Sequence, residues 1–144
     1  MQKRSCGSVR IFWLDRSQRL RDLRREARQL LRRDRRAEAV LLFGSLARGD
    51  AVPGSDADLL IILRETALAR WFDRIAEYAE ALSGPADLFP YTWPEIERAL
   101  HQPGLVRAAL REHVALAGRR GARERLGVLR KDLVRKQPAV KGEA

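Results

Sequence analysis

Two apolar runs, "EAVLLF" at 38–43 and "DADLLIIL" at 56–63, are separated only by residues 44–55. The first ends at a glycine and the second is apolar on both faces once past its start, so both suit strands buried on two sides. Strands of that kind need helices packed against them. The intervening stretch, "GSLARGDAVPGS", is polar and charged, which is costly between two core strands unless something neutralises it.

The rest of the chain supplies the covering layers. From Asp15 to Arg36, Leu20, Leu23, Ala27, Leu30 and Leu31 recur at helical spacing between arginines, giving an amphipathic helix. Thr66 to Leu82 reads as a second helix, with Leu68, Trp71, Phe72, Ile75, Ala79 and Leu82 on one side and "SGP" as its stop. "ADLFPY", 86–91, reads as a third strand, which Pro90 restricts to an edge or to its end. "TWPE" has capping-box spacing with Pro94 in the first turn, so a helix should run from Thr92 to about His101. A further helix from Leu105 to Glu112 leads into a fourth strand at "HVALA", and Leu126, Leu129, Leu133 and Val134 mark a last amphipathic helix before a frayed end at "PAVKGEA". The alternation predicts an α/β (α+β) fold, a small mixed β-sheet with helices packed on it.

The expected organisation is a single domain in three stretches: a basic N-terminal segment and helix at 1–36, a core at 37–118, and a basic C-terminal helix and tail at 119–144. The formal net charge of +10 divides along these boundaries into +9, −5 and +6. The basic ends suit RNA, DNA or an acidic protein partner, and equally a solvated arginine-rich helix face. They would also permit a homo-oligomer. No apolar run approaches the roughly 20 residues needed to span a bilayer, and the lone Cys6 fits a reducing compartment, so a cytoplasmic protein is expected.

Asp56 and Asp58 lie two apart at the start of a strand and so project from one face. Adjacent carboxylates repel unless a cation lies between them, and Mg²⁺ takes one or two carboxylates together with water and phosphate oxygens. Gly44 and Ser45 follow the first strand, where "SLARG" can start a short helix with a hydroxyl and unpaired N–H groups for an anion. Arg48, one turn on, would add a fork for phosphate oxygens. "DAVPGS", 50–55, is a turn that returns the phosphate cradle to the carboxylates. There is no G-x-x-x-x-G-K-[ST] pattern, so this is not a Walker A loop.

"GSLARGDAVPGSDADLLI" closely resembles the signature of the nucleotidyltransferase superfamily related to DNA polymerase beta, in its minimal form. The match runs G-S, A-R-G, then S-D-x-D-L. With "ADLFPYTWPEIERAL" resembling the third-carboxylate strand and its helix, it covers roughly residues 36–118. The resemblance implies that Gly44 and Ser45 bind a triphosphate with Arg48 in support, and that Asp56, Asp58 and Asp87 are catalytic and hold two Mg²⁺ ions. It implies in-line attack on the α-phosphate of a nucleoside triphosphate, expected to be ATP, with release of pyrophosphate. Minimal members commonly pair as antitoxins with small helical HEPN-type toxins, so the implied acceptor is a tyrosine of such a partner.

Other acceptors fit the same residues. A small aminoglycoside-like molecule is one, and a nucleic-acid end, suggested by the basic termini, is another; a catalytically idle partner-binding module is the non-enzymatic alternative. Asp50 reads as a turn residue, His101 and His113 as capping or surface groups, Trp13, Trp71 and Trp93 as core or interface, and Tyr91 as a strand-end residue.

Overall fold

The computed structural model of the chain describes residues 8–51 and 55–135, with side-chain surroundings from Arg16 onward. Cys6, Trp13, the tip of the 50–55 turn and the C-terminal tail therefore lie outside what is described of side chains.

The order of elements is helix α1 (Ser8–Arg33), strand β1 (Ala37–Phe43), short helix α2 (Gly44–Arg48), strand β2 (Ala57–Leu63), a 3₁₀ turn (Trp71–Arg74) running into α3 (Ile75–Ala79), strand β3 (Ala86–Thr92), helices α4 (Trp93–Ala99) and α5 (Leu105–Arg111), strand β4 (Val114–Gly118) and helix α6 (Arg120–Arg135). The strands form one mixed sheet in the order β3-β2-β1-β4. β1 is antiparallel to both β2 and β4, whereas β2 and β3 are parallel. β3 is an edge strand, which accommodates Pro90 without breaking an interior ladder.

The period-2 alternation of the two central strands divides the core. Val40, Leu42, Leu59, Ile61 and Leu63 face one layer, where α1 contributes Leu23, Ala27, Leu30 and Leu31 and the α3 segment contributes Tyr78. Ala39, Leu41, Phe43, Leu60 and Ile62 face the other, against Trp93 and Ile96 of α4, Val106 and Leu110 of α5, and Leu126, Leu129 and Leu133 of α6. β1 and β2 are thus buried on both faces, as their unbroken apolar runs require.

Two expectations fail. Residues 66–82 do not form one helix: only the 3₁₀ turn and five-residue α3 are helical, and Phe72 is 49% exposed. The cause is Arg74, almost fully buried, whose guanidinium donates to the carbonyls of Leu68 at 2.9 Å and Ala69 at 3.0 Å. The chain curls around this cation instead of continuing as an amphipathic helix. The α6 stripe also ends at Leu133, because Val134 is 72% exposed.

Candidate active site

β1 and β2 lie side by side, and the strands set the site where one ends and the other begins. Phe43, the last residue of β1, faces Asp58 across the antiparallel ladder, and the next residue, Gly44, turns the chain into α2. Gly44 has φ +79°, a left-handed conformation, and a Cβ there would overlap Oδ2 of Asp58. Two independent constraints therefore select glycine at this position. Gly49 at φ +85° closes α2, with its N–H on the Ser45 carbonyl at 3.0 Å.

On its other side Asp58 faces Asp87, its register partner on the parallel strand β3. By alternation Asp58 shares the sheet face of Leu60 and Ile62, and Asp87 that of Phe89 and Tyr91, so both carboxylates point to the face covered by α4, α5 and α6. Asp56, just before β2, and Asp87 are exposed, and Asp58 is half-buried between them. Partial burial, then the charges of Asp87 and Asp56, push the Asp58 carboxyl above its ordinary value; Arg48 pulls the other way. The structure thus brings together Gly44, Asp56, Asp58 and Asp87, with Arg48 within electrostatic reach. Arg48 itself forms an exposed ion pair with Asp50 at 3.2 Å, and the Asp50 N–H binds the Ser45 carbonyl at 3.1 Å.

Whether these residues suit magnesium is answered by their chemistry. Among the described residues no three His, Cys, Asp or Glu side chains converge into a preformed cage. Mg²⁺ does not need one, since it keeps several waters and takes one or two carboxylates. Hard oxygen donors, mutual repulsion at Asp58 and a glycine that leaves its Oδ2 unobstructed make the donor set a fit.

Helix α1 fastens the site from below, a role that sequence reasoning did not assign. Arg16 donates to the carbonyls of Leu46 at 3.1 Å and Ala47 at 3.2 Å, satisfying the end of α2. Arg19 donates to the Pro85 carbonyl, which also accepts the N–H of Ala57 at 3.1 Å, tying the entrances of β2 and β3 together. The buried Glu26 accepts the Ser83 N–H at 3.3 Å and its hydroxyl. The available signal was the i, i+3 spacing of Arg16 and Arg19, hidden among so many arginines.

Beside Asp87 a row of rings begins: Phe89 contacts Phe43 at 5.7 Å and Trp71 at 5.6 Å between centroids, and Trp71 contacts Tyr91 at 5.6 Å. Trp93 is buried and donates to Glu38 at 3.0 Å, a core role. His101 is exposed, and His113 lies outside the site with Nδ1 2.8 Å from the Ala109 carbonyl.

The family model described as "Nucleotidyltransferase domain" matches residues 20–116. No curated protein matches the chain. Among solved structures, a Sulfolobus solfataricus protein assigned as a nucleotidyltransferase superposes with a TM-score of 0.57 at 21% identity, covering 75% of this chain and 87% of its own. A toxin–antitoxin structure with AMP-PNP gives 0.52 at 20% identity, covering 78% and 86%. The toxin–antitoxin MntA-HpeT, in a mutant with two aspartates two positions apart changed to glutamate, gives 0.50 at 18% identity over 78% and 86%. These similarities show the fold. No helix among the described residues is long and apolar enough to cross a membrane.

Proposed function

The chain belongs to the nucleotidyltransferase domain family, and we propose that it transfers adenylate from ATP to a tyrosine hydroxyl of a HEPN-type helical partner, acting in the cytoplasm as the antitoxin of that pair. The observation that carries the reading is the register pairing of Asp58 with Asp87 beside the left-handed Gly44. Two of the similar folds support the biological setting: one is a toxin–antitoxin structure with AMP-PNP, an ATP analogue, and the other carries its paired substitutions at a D-x-D spacing like that of Asp56 and Asp58.

Gly44 and Ser45 bind the triphosphate and Arg48 supports it, exchanging its exposed bond to Asp50 for phosphate oxygens. Asp56, Asp58 and Asp87 hold two magnesium ions, whose chemistry when bound is Lewis-acid neutralisation of phosphate charge. Asp87 lies on the edge strand, exposed, where an incoming acceptor hydroxyl can reach it and give up its proton. Attack at the α-phosphorus forms the new oxygen–phosphorus bond and breaks the bond to pyrophosphate. Asp56 and Asp58 orient the triphosphate for that in-line displacement.

The experiment is incubation of the purified protein, magnesium and ATP labelled at the α-phosphate in a lysate of its own host, with Asp58→Ala as control. A protein band labelled by the wild type alone, with adenylate on tyrosine by mass spectrometry, is the expected result. Label in nucleic acid, or none, overturns the acceptor.

A further inference from the structure

The fold uses only some of its many arginines. Arg16, Arg19 and Arg119 bind main-chain carbonyls, and Arg25, Arg36 and Arg125 pair with carboxylates. Arg24, Arg28, Arg32 and Arg123 differ: among the described residues none of their guanidinium groups has an acidic or hydrogen-bonding partner, and the four line one groove of about 400 Å³ along β4. Arg24, Arg28 and Arg32 recur every fourth residue, hence on one face of α1, and Arg123 comes from α6. Like charges gathered in a cleft repel one another and focus a positive field, which an anionic ligand relieves.

The floor of the groove is equally specific. β4 closes the sheet and, among the described residues, is bonded only to β1, so its outer edge offers unpaired main-chain groups. Its Ala115, Ala117 and Gly118 are small, which leaves that backbone within reach of another chain.

We propose that this groove docks an extended acidic segment of a partner protein, added to the sheet as a strand beside β4 with its carboxylates against the four arginines. A nucleic acid fits less well, because no aromatic side chain lines the groove to stack a base. The chain's own segments outside the described range, 1–7 and 136–144, are basic on balance and do not match the charge. The groove lies on the edge strand opposite β3, which carries Asp87, so docking leaves the candidate active site open. The inference stands apart from the proposed transfer reaction.

The test is fluorescence anisotropy of a fluorescein-labelled peptide of alternating Glu and Val, titrated with the full-length protein. Saturable binding is expected, weakened roughly tenfold by Arg28→Glu with Arg32→Glu, and similarly when alternate peptide nitrogens are methylated so that strand pairing is blocked. Arg24→Gln with Arg123→Gln is the second variant, and circular dichroism confirms that each variant is folded. Binding unchanged in both variants overturns the site, and equal binding of the methylated peptide overturns strand addition. A single-stranded oligonucleotide of equal charge that binds more tightly, or a dimer split by Arg28→Glu with Arg32→Glu, replaces the partner with nucleic acid or a second copy and also overturns the proposal.

Discussion

Asp58 and Asp87 are register partners on parallel strands, so their α-carbons sit one inter-strand spacing apart, about 4.8 Å, with both carboxylates on one face of the sheet. Among the described residues no side chain pairs with Asp58; its neighbours Asp87 and Asp56 disfavour its charge and Arg48 favours it. Such an arrangement is destabilising without a cation, and the proposed magnesium ions would relieve it. Asp58→Asn is therefore expected to raise the melting temperature in EDTA while lowering adenylate transfer on the order of a thousandfold. Melts with and without magnesium check both halves: the wild type gains stability from the ion and the variant does not.

Gly44 allows a second substitution to be read in two ways at once. Its left-handed conformation costs any other residue about 1–2 kcal/mol, and the added Cβ would strike the Asp58 carboxylate. Gly44→Ala should lower stability by at least that strain in a denaturant melt and shift or remove the magnesium-dependent stabilisation. A variant with unchanged magnesium response would mean that Gly44 serves only the turn.

Arg16 and Arg19 hold the site without lining it. Removing Arg16 frees the Leu46 and Ala47 carbonyls at the end of α2, and loosens the segment that carries Ser45 and Arg48. Arg16→Met is expected to raise KM for ATP roughly tenfold, the price of an imprecisely held loop. Arg19→Met acts on the strand entrances through Pro85 and should lower kcat instead. Steady-state kinetics of the two variants separate these effects, which a merely structural role would not split.

The strands, the restriction of β3 to an edge or to its end, and the capping box at Thr92 and Glu95 were legible because each follows from local rules: unbroken apolar runs, a proline and a capping spacing. Asp87 entered only through the family resemblance, and its register pairing with Asp58 is seen only in the fold. The segment 66–82 was not legible, since its apolar residues fit a helical period and no local rule announces that an arginine will be buried and take carbonyls from the preceding turn. Arg16 and Arg19 were equally opaque: an arginine that clamps a distant loop looks, in sequence, like one that faces water. Periodicity predicts faces; it does not predict which long side chain reaches back into the fold.

Arg74 also controls how the protein responds to acid. Its guanidinium is bidentate on Glu95, at 2.7 and 2.9 Å, and donates to the Pro90 carbonyl at 2.9 Å, while Glu95 accepts the Thr92 N–H at 2.8 Å. The Arg74 hydrogen bonds hold the Glu95 carboxyl below its ordinary value, so its contribution is present above the unfolded value of 4.5 and is lost as pH falls through the lower folded one. Burial holds the His113 imidazole below its ordinary 6.5; the unfolded chain takes up that proton first, so stability declines as pH falls below 6.5. An acid titration of stability should show two falling stretches, the upper removed by His113→Gln and the lower reduced by Glu95→Gln. At neutral pH, Glu95→Gln should itself cost about 3 kcal/mol, because it leaves a buried guanidinium without its counter-charge. Arg74→Met alone should cost a comparable amount, and adding Glu95→Gln to it far less than a further full loss, since the two residues act as one unit. Additive losses in that double-mutant cycle would show that Arg74 works through the Leu68, Ala69 and Pro90 carbonyls and not through Glu95.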